Sequence, residues 1–87
     1  MFAFNIKAPI ADIDSTGGDE PIHPAKILLI EWGEDRLAPI LVPLDVFEPY
    51  KDVLGAGVFV SITGNLHEVP GGKWHVATSL RISGKKH

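Results

Sequence analysis

With 87 residues, 45% apolar and 22% charged, the chain has the balance of one small globular domain. It holds no cysteine, which excludes disulfides and cysteine-based zinc sites and suits a reducing compartment such as the cytoplasm. The net charge of −3 is unevenly placed: residues 1–50 hold three basic and nine acidic side chains, residues 51–87 five basic and two acidic. The second half therefore offers a basic surplus to a polyanion, or else plain solvated charge.

Apolar runs fall short of the ~20 residues a membrane span needs, so no membrane partner is expected. Met1-Phe-Ala-Phe-Asn-Ile-Lys7 lacks the charged opening of a signal peptide.

Phe2, Phe4 and Ile6 alternate with Ala3, Asn5 and Lys7, the period of two of a strand. This strand continues past Pro9 through Ile10 and Ile13 with a bend, because proline is tolerated only at an edge or bulge. Residues 14–24 hold two glycines, two prolines and three acids, and predict a long, mobile surface loop. Ala25–Trp32 is a mostly apolar second strand, expected in a central, partly two-sided burial. Gly33–Arg36 makes a hairpin turn into a third strand, Leu37–Pro43, whose Pro39 and Pro43 argue for an edge or frayed ends.

Asp45 with Glu48 three residues on has the capping-box pattern, and Phe47, Tyr50, Val53 and Leu54 have helical spacing. A short helix over 45–54 is predicted, with Pro49 in its first turn and Gly55 and Gly57 ending it. In residues 57–66, Val58, Val60 and Ile62 alternate with Phe59, Ser61 and Thr63. Pro70, Gly71 and Gly72 then make a tight turn. Trp74–Ile82 resumes the alternation, with Trp74, Val76, Thr78, Leu80 and Ile82 assigned to the core face. Residues 84–87 are a polar tail. The whole chain, 1–87, is one domain with no internal repeat.

Five strands with a helix between the third and fourth is the layout of an all-β, five-stranded Greek-key barrel, the OB-fold. The alternating strand ending in Gly64-Asn-Leu66, then a loop, then Trp74-His-Val-Ala-Thr-Ser-Leu-Arg-Ile82, resembles the last two strands of single-stranded DNA-binding OB domains. An SH3-like barrel is the competing fold. The resemblance implies a module that binds single-stranded nucleic acid, DNA first, on its sheet face and hairpin loops. Its alternative is an OB-fold module that binds a protein and no nucleic acid, which suits the acidic first half.

Single strands are held by stacking rings and cations. Phe59 faces outward, Trp32 ends the second strand beside a turn, and Trp74 begins the fifth strand beside Lys73. Arg81, Lys85 and Lys86 follow, and together these seven are the candidate nucleic-acid contacts; Lys26 is a further cation. Packing is the ordinary role of each ring, and Phe2, Phe4 and Phe47 are assigned to the core. A homo-oligomer is expected, because proline-broken strands leave edges and a small core gains from a shared interface.

Catalysis is not expected. His23, His67, His75 and His87 lie on separate elements, with only His67 and His75 able to meet across the hairpin. Asp12 and Asp14 lack a partner base, Gly17-Gly18 has no following Lys-Ser/Thr, and Ser15 and Thr16 have no nearby histidine in sequence. No metal or cofactor is called for.

Overall fold

The computed structural model describes residues 2–18, 20–22 and 24–85. His23, Lys86 and His87, among the residues singled out above, lie outside them. The strands are β1 (Phe2–Ser15), β2 (Ala25–Glu31), β3 (Leu37–Pro43), β4 (Val58–Val69) and β5 (Gly72–Lys85). They close into a barrel in the order β1-β2-β3-β5-β4, with β4 returning to β1. This is the five-stranded OB arrangement.

β1 serves both halves of the barrel. Residues 2–9 pair with β4 and residues 10–15 with β2, and the pairing shifts at Ala11, two residues after Pro9. The inward residues of all five strands make one core: Ile6, Ala8 and Ile10; Leu28 and Ile30; Ile40 and Val42; Val58, Val60 and Ile62; Ala77 and Leu80. As expected, β2 is buried on both sides at least in part: Leu28 and Ile30 fully on the inner side, Ala25 fully and Ile27 and Leu29 in part on the outer.

The two prolines of β3 are not edge markers. β3 lies between β2 and β5, and its parallel ladder to β5 is only Ile40↔His75 and Leu41↔Val76. Pro39 and Pro43 flank that short ladder, where their missing N–H groups cost little. Closure also removes the unpaired edges that are one of the two grounds for expecting an oligomer; the small core, the other ground, stands.

The helix is shorter than its apolar spacing suggests. α1 covers Leu44–Phe47 and a 3-10 turn covers Glu48–Tyr50. Pro49 has no N–H for the Asp45 carbonyl, so the α-helical ladder stops there. Asp45 does not cap: the cap residue is Pro43, with no side-chain hydrogen bond. The segment plugs one barrel end, with Phe47 in the core and Val46, Tyr50 and Leu54 packed against it.

Among its described residues, the segment between β1 and β2 makes local hydrogen bonds. The Glu20 carboxylate accepts from the N–H groups of Gly17 (3.0 Å) and Gly18 (2.9 Å). The Thr16 hydroxyl donates to the Ala25 carbonyl and accepts from the Ala25 N–H, each at 3.2 Å.

The β4–β5 hairpin turns at Pro70–Gly71, where Gly71 has φ 93°. Such a φ after proline is the type II turn requirement. Thr63 opposes Ser79 and Gly64 opposes Ala77, so Thr78 is an extra residue, a β-bulge. Its hydroxyl donates to the Thr63 carbonyl at 3.2 Å. The bulge flips the alternation of β5. Ala77 and Leu80 both face the core, while Trp74 and Val76 face outward. The assignment of Trp74, Val76 and Thr78 to the core face is thereby corrected, and Ile82 is 38% exposed at the rim.

Candidate nucleic-acid interface

The outer face of β2, β3 and β5 carries a second, smaller apolar cluster. Ala25, Leu41 and Val76 are buried there, with Ile27, Trp74 and Ile22 of loop 16–24 packed against them. Loop 16–24 stands at one end of β2 and β3, and the β4–β5 turn at the other. Beside that turn, Pro39, Val69, Pro70, Gly71, Gly72, Lys73 and Trp74 line a groove of about 420 Å³. Trp74 therefore presents a half-buried ring on the outer face, next to the exposed Lys73.

The rest of this face is apolar and acidic. Pro39 and Leu37 are exposed in front of Leu29 and Glu31, their partners on β2. Asp12 and Asp14 stand across from Leu29 and Ile27 on β1, both exposed.

A larger groove, of about 540 Å³, opens at the barrel mouth and is lined by Trp32, Asp35, Arg36, Leu37, Ala38 and His75. The Trp32 N–H bonds the Arg36 carbonyl at 2.9 Å, which closes the β2–β3 turn and sets the indole beside it. Gly33 (φ 80°) and Asp35 (φ 56°) supply the left-handed backbone that the turn requires. His75 precedes the bulge and so points inward, where its ring meets Phe4 edge-on at 5.0 Å and 76°.

Partial burial lowers the His75 pKa from its ordinary 6.5 by desolvating the charged ring. Protonation then favours the unfolded chain. The stabilising contribution is present above 6.5 and is lost as pH falls through the lowered folded value. His75→Gln should remove this loss: between pH 7.5 and 5.5 its melting temperature should fall less than that of the wild type. Equal falls would contradict it.

The remaining sequence-chosen residues do not converge on either groove. Phe59 is half-buried on the far side of the barrel, between Pro9 of β1 and Gly84 of β5. Arg81 opposes Ser61, which opposes Lys7, so these two cations share that far side. Lys73 and Arg81 lie eight residues apart on one strand, roughly 26 Å at ~3.3 Å per residue. Lys85 ends β5 opposite Val58. Lys26 is engaged elsewhere: its ammonium donates to Ser15 Oγ at 2.9 Å and lies 5.9 Å from the Phe47 ring centroid.

The histidine pair separates. His67 opposes Trp74 and faces out, His75 opposes Leu66 and faces in. Among the described residues, no group of three or more His, Cys, Asp or Glu stands where it could hold a metal ion. Among the described residues, too, no helix is long and apolar enough to cross a membrane.

No family model matches the chain. No curated protein matches it either. It is similar in structure to a chain of the crystal structure of the S. pombe Stn1–Ten1 complex, with a TM-score of 0.71 and 16% sequence identity. The match covers 94% of this chain and 58% of that one, so the chain spans less than two thirds of its neighbour's length. With the strand order, the closed five-stranded sheet and the helix between β3 and β4, this makes the chain an OB-fold barrel.

Proposed function

We propose that the chain is a non-enzymatic module that binds single-stranded nucleic acid, DNA in the first instance, with little sequence preference. The supporting observation is the Trp74 ring on the outer β2–β3–β5 face, set with Lys73 in a groove against the β4–β5 turn. That face and its flanking loops are where OB-folds take oligonucleotides. A base stacks on the indole, and Lys73 meets a phosphate. Non-enzymatic is part of the proposal, because the sequence pairs no nucleophile with a base. A cytoplasmic setting and a homo-oligomer belong to it as well, the first from the lack of cysteine and the second from the modest core of 87 residues.

The reading separates cations by face. Lys73→Ala should weaken binding of a labelled oligo-dT and flatten its salt dependence by about 0.7 in slope, the value for one phosphate on a single strand. Arg81→Ala, on the far side, should leave both unchanged. The same assay overturns the placement if Arg81→Ala flattens the slope and Lys73→Ala does not.

A second reading, a protein-binding module, is favoured by Asp12 and Asp14 on β1 and exposed Leu37 and Pro39 on β3, one strand apart on the same face. The Stn1–Ten1 neighbour is itself an assembly of two proteins. A protein with an apolar ridge flanked by basic side chains would complement this surface.

A further inference from the structure

We propose that the barrel-mouth groove between the β2–β3 turn and β5 is a pocket for one unpaired purine nucleotide, separate from the Trp74 groove. The proposal rests on the nucleic-acid reading only for where the nucleotide comes from.

The groove joins the four kinds of group that an unpaired nucleotide calls for. Trp32 is 45% and Leu37 55% exposed, so an indole face and an aliphatic wall stand uncovered side by side. A ring of this kind stacks any base, and a purine offers the larger face. Arg36 supplies a planar fork of donors suited to a phosphate. Asp35 supplies two carboxylate oxygens, acceptors for the exocyclic amino group of adenine. His75 supplies one donor and one acceptor in its neutral form, the state that its partial burial favours. Its ring is held against Phe4 rather than free to turn away. The volume, about 540 Å³, lies within the range of small-ligand sites.

These groups reach the groove by separate routes. Trp32 and Arg36 are brought to the same end of the hairpin by the backbone hydrogen bond across the turn. His75 is brought opposite Ile40 by the parallel β3–β5 pair. Leu37 and Ala38 begin β3, and Ala38 packs on the core, so the floor is rigid. The Trp74 groove lies on the outer surface of the same two strands, and among the described residues the only cation lining it is Lys73.

The chain holds two tryptophans, so Trp74→Phe leaves Trp32 as the sole indole. In that variant, titration with dAMP should quench the fluorescence saturably. Adding Arg36→Ala or His75→Ala should weaken dAMP binding by about tenfold, the worth of one charge-assisted or base-edge hydrogen bond. In the otherwise wild-type chain, Trp32→Ala should weaken oligo-dA binding by about five- to 150-fold, with Trp32→Phe largely restoring it. Thermal melts run beside each variant confirm that it is folded. No quenching by dAMP, with Trp32→Ala binding oligo-dA as tightly as the wild type, overturns the pocket and leaves the Trp74 face intact. Saturable dAMP quenching in a chain that binds no oligonucleotide supports the pocket and overturns the single-strand reading.

Discussion

Gly64→Ala is expected to unfold the domain or bring it close to unfolding. A Cβ at this position would lie 2.8 Å from the Ala77 Cα and nearer still to the Val76 carbonyl oxygen. Both atoms are backbone, so no rotamer change relieves the clash. The position pairs with Ala77 immediately beside the Thr78 bulge, where β5 crosses closely over β4. Overpacking a core commonly costs about 1–3 kcal/mol, and a clash between backbones belongs above that range. A small domain holds only about 5–15 kcal/mol in total. At about 4–8 °C per kcal/mol, the melting temperature should drop by more than about 12 °C. Gly55→Ala is the control: its Cβ would meet nothing within 4 Å, and its backbone is not left-handed. That variant should be neutral or stabilised by up to about 1 kcal/mol. Equal melting temperatures for the two variants would show that the strands do not meet as described.

Ile40→Ala is the second large loss, expected at about 2–5 kcal/mol by urea unfolding. Ile40 is fully buried and belongs to the two-pair ladder that closes the barrel between β3 and β5. The cavity would open between β2, which supplies Leu28 as its partner, and β5, which supplies His75. The seven-pair ladder to β2 holds the backbone of β3 in place, so the site has little means to collapse around the void. A loss below about 1 kcal/mol would mean that the seam is not packed through Ile40.

Much of this fold is legible in the chain. The alternation in residues 2–8 and 58–66, the proline-glycine turn before Lys73 and the helix-spaced apolars after Pro43 each mark their element through local chemistry. What is not legible is what depends on contacts between distant segments. Thr78 sits among Ala77 and Ser79, three small residues of which any could be the extra one, so nothing local signals that the face flips there. That one residue turns Trp74 from an inward ring to an outward one and His75 from an outward ring to an inward one. The parallel β3–β5 pairing leaves no trace in either strand, yet it brings His75 to the groove of Trp32 and Arg36. Arg36 passes as an ordinary turn residue. Alternation marks Phe59 and Arg81 as outward-facing, as they are, but outward on a barrel covers a full circle, and alternation cannot say which side of it. Residues 14–24 have the composition of a mobile segment, and nothing in that composition signals that the Glu20 carboxylate accepts from the N–H groups of Gly17 and Gly18.

The central claim is single-strand binding on a face with few cations, and fluorescence anisotropy of a labelled oligo-dT from about 50 to 200 mM salt tests it most directly. Among the described residues, Lys73 and Arg36 are the cations at the two grooves, enough to neutralise one or two phosphates. Binding should be present at 50 mM salt, and log K should fall against log salt with a slope of about −0.7 to −1.4. No binding at 50 mM salt, where phosphate contacts are strongest in this range, would contradict the account and move the search to a basic protein partner for the Asp12–Asp14 side of the face.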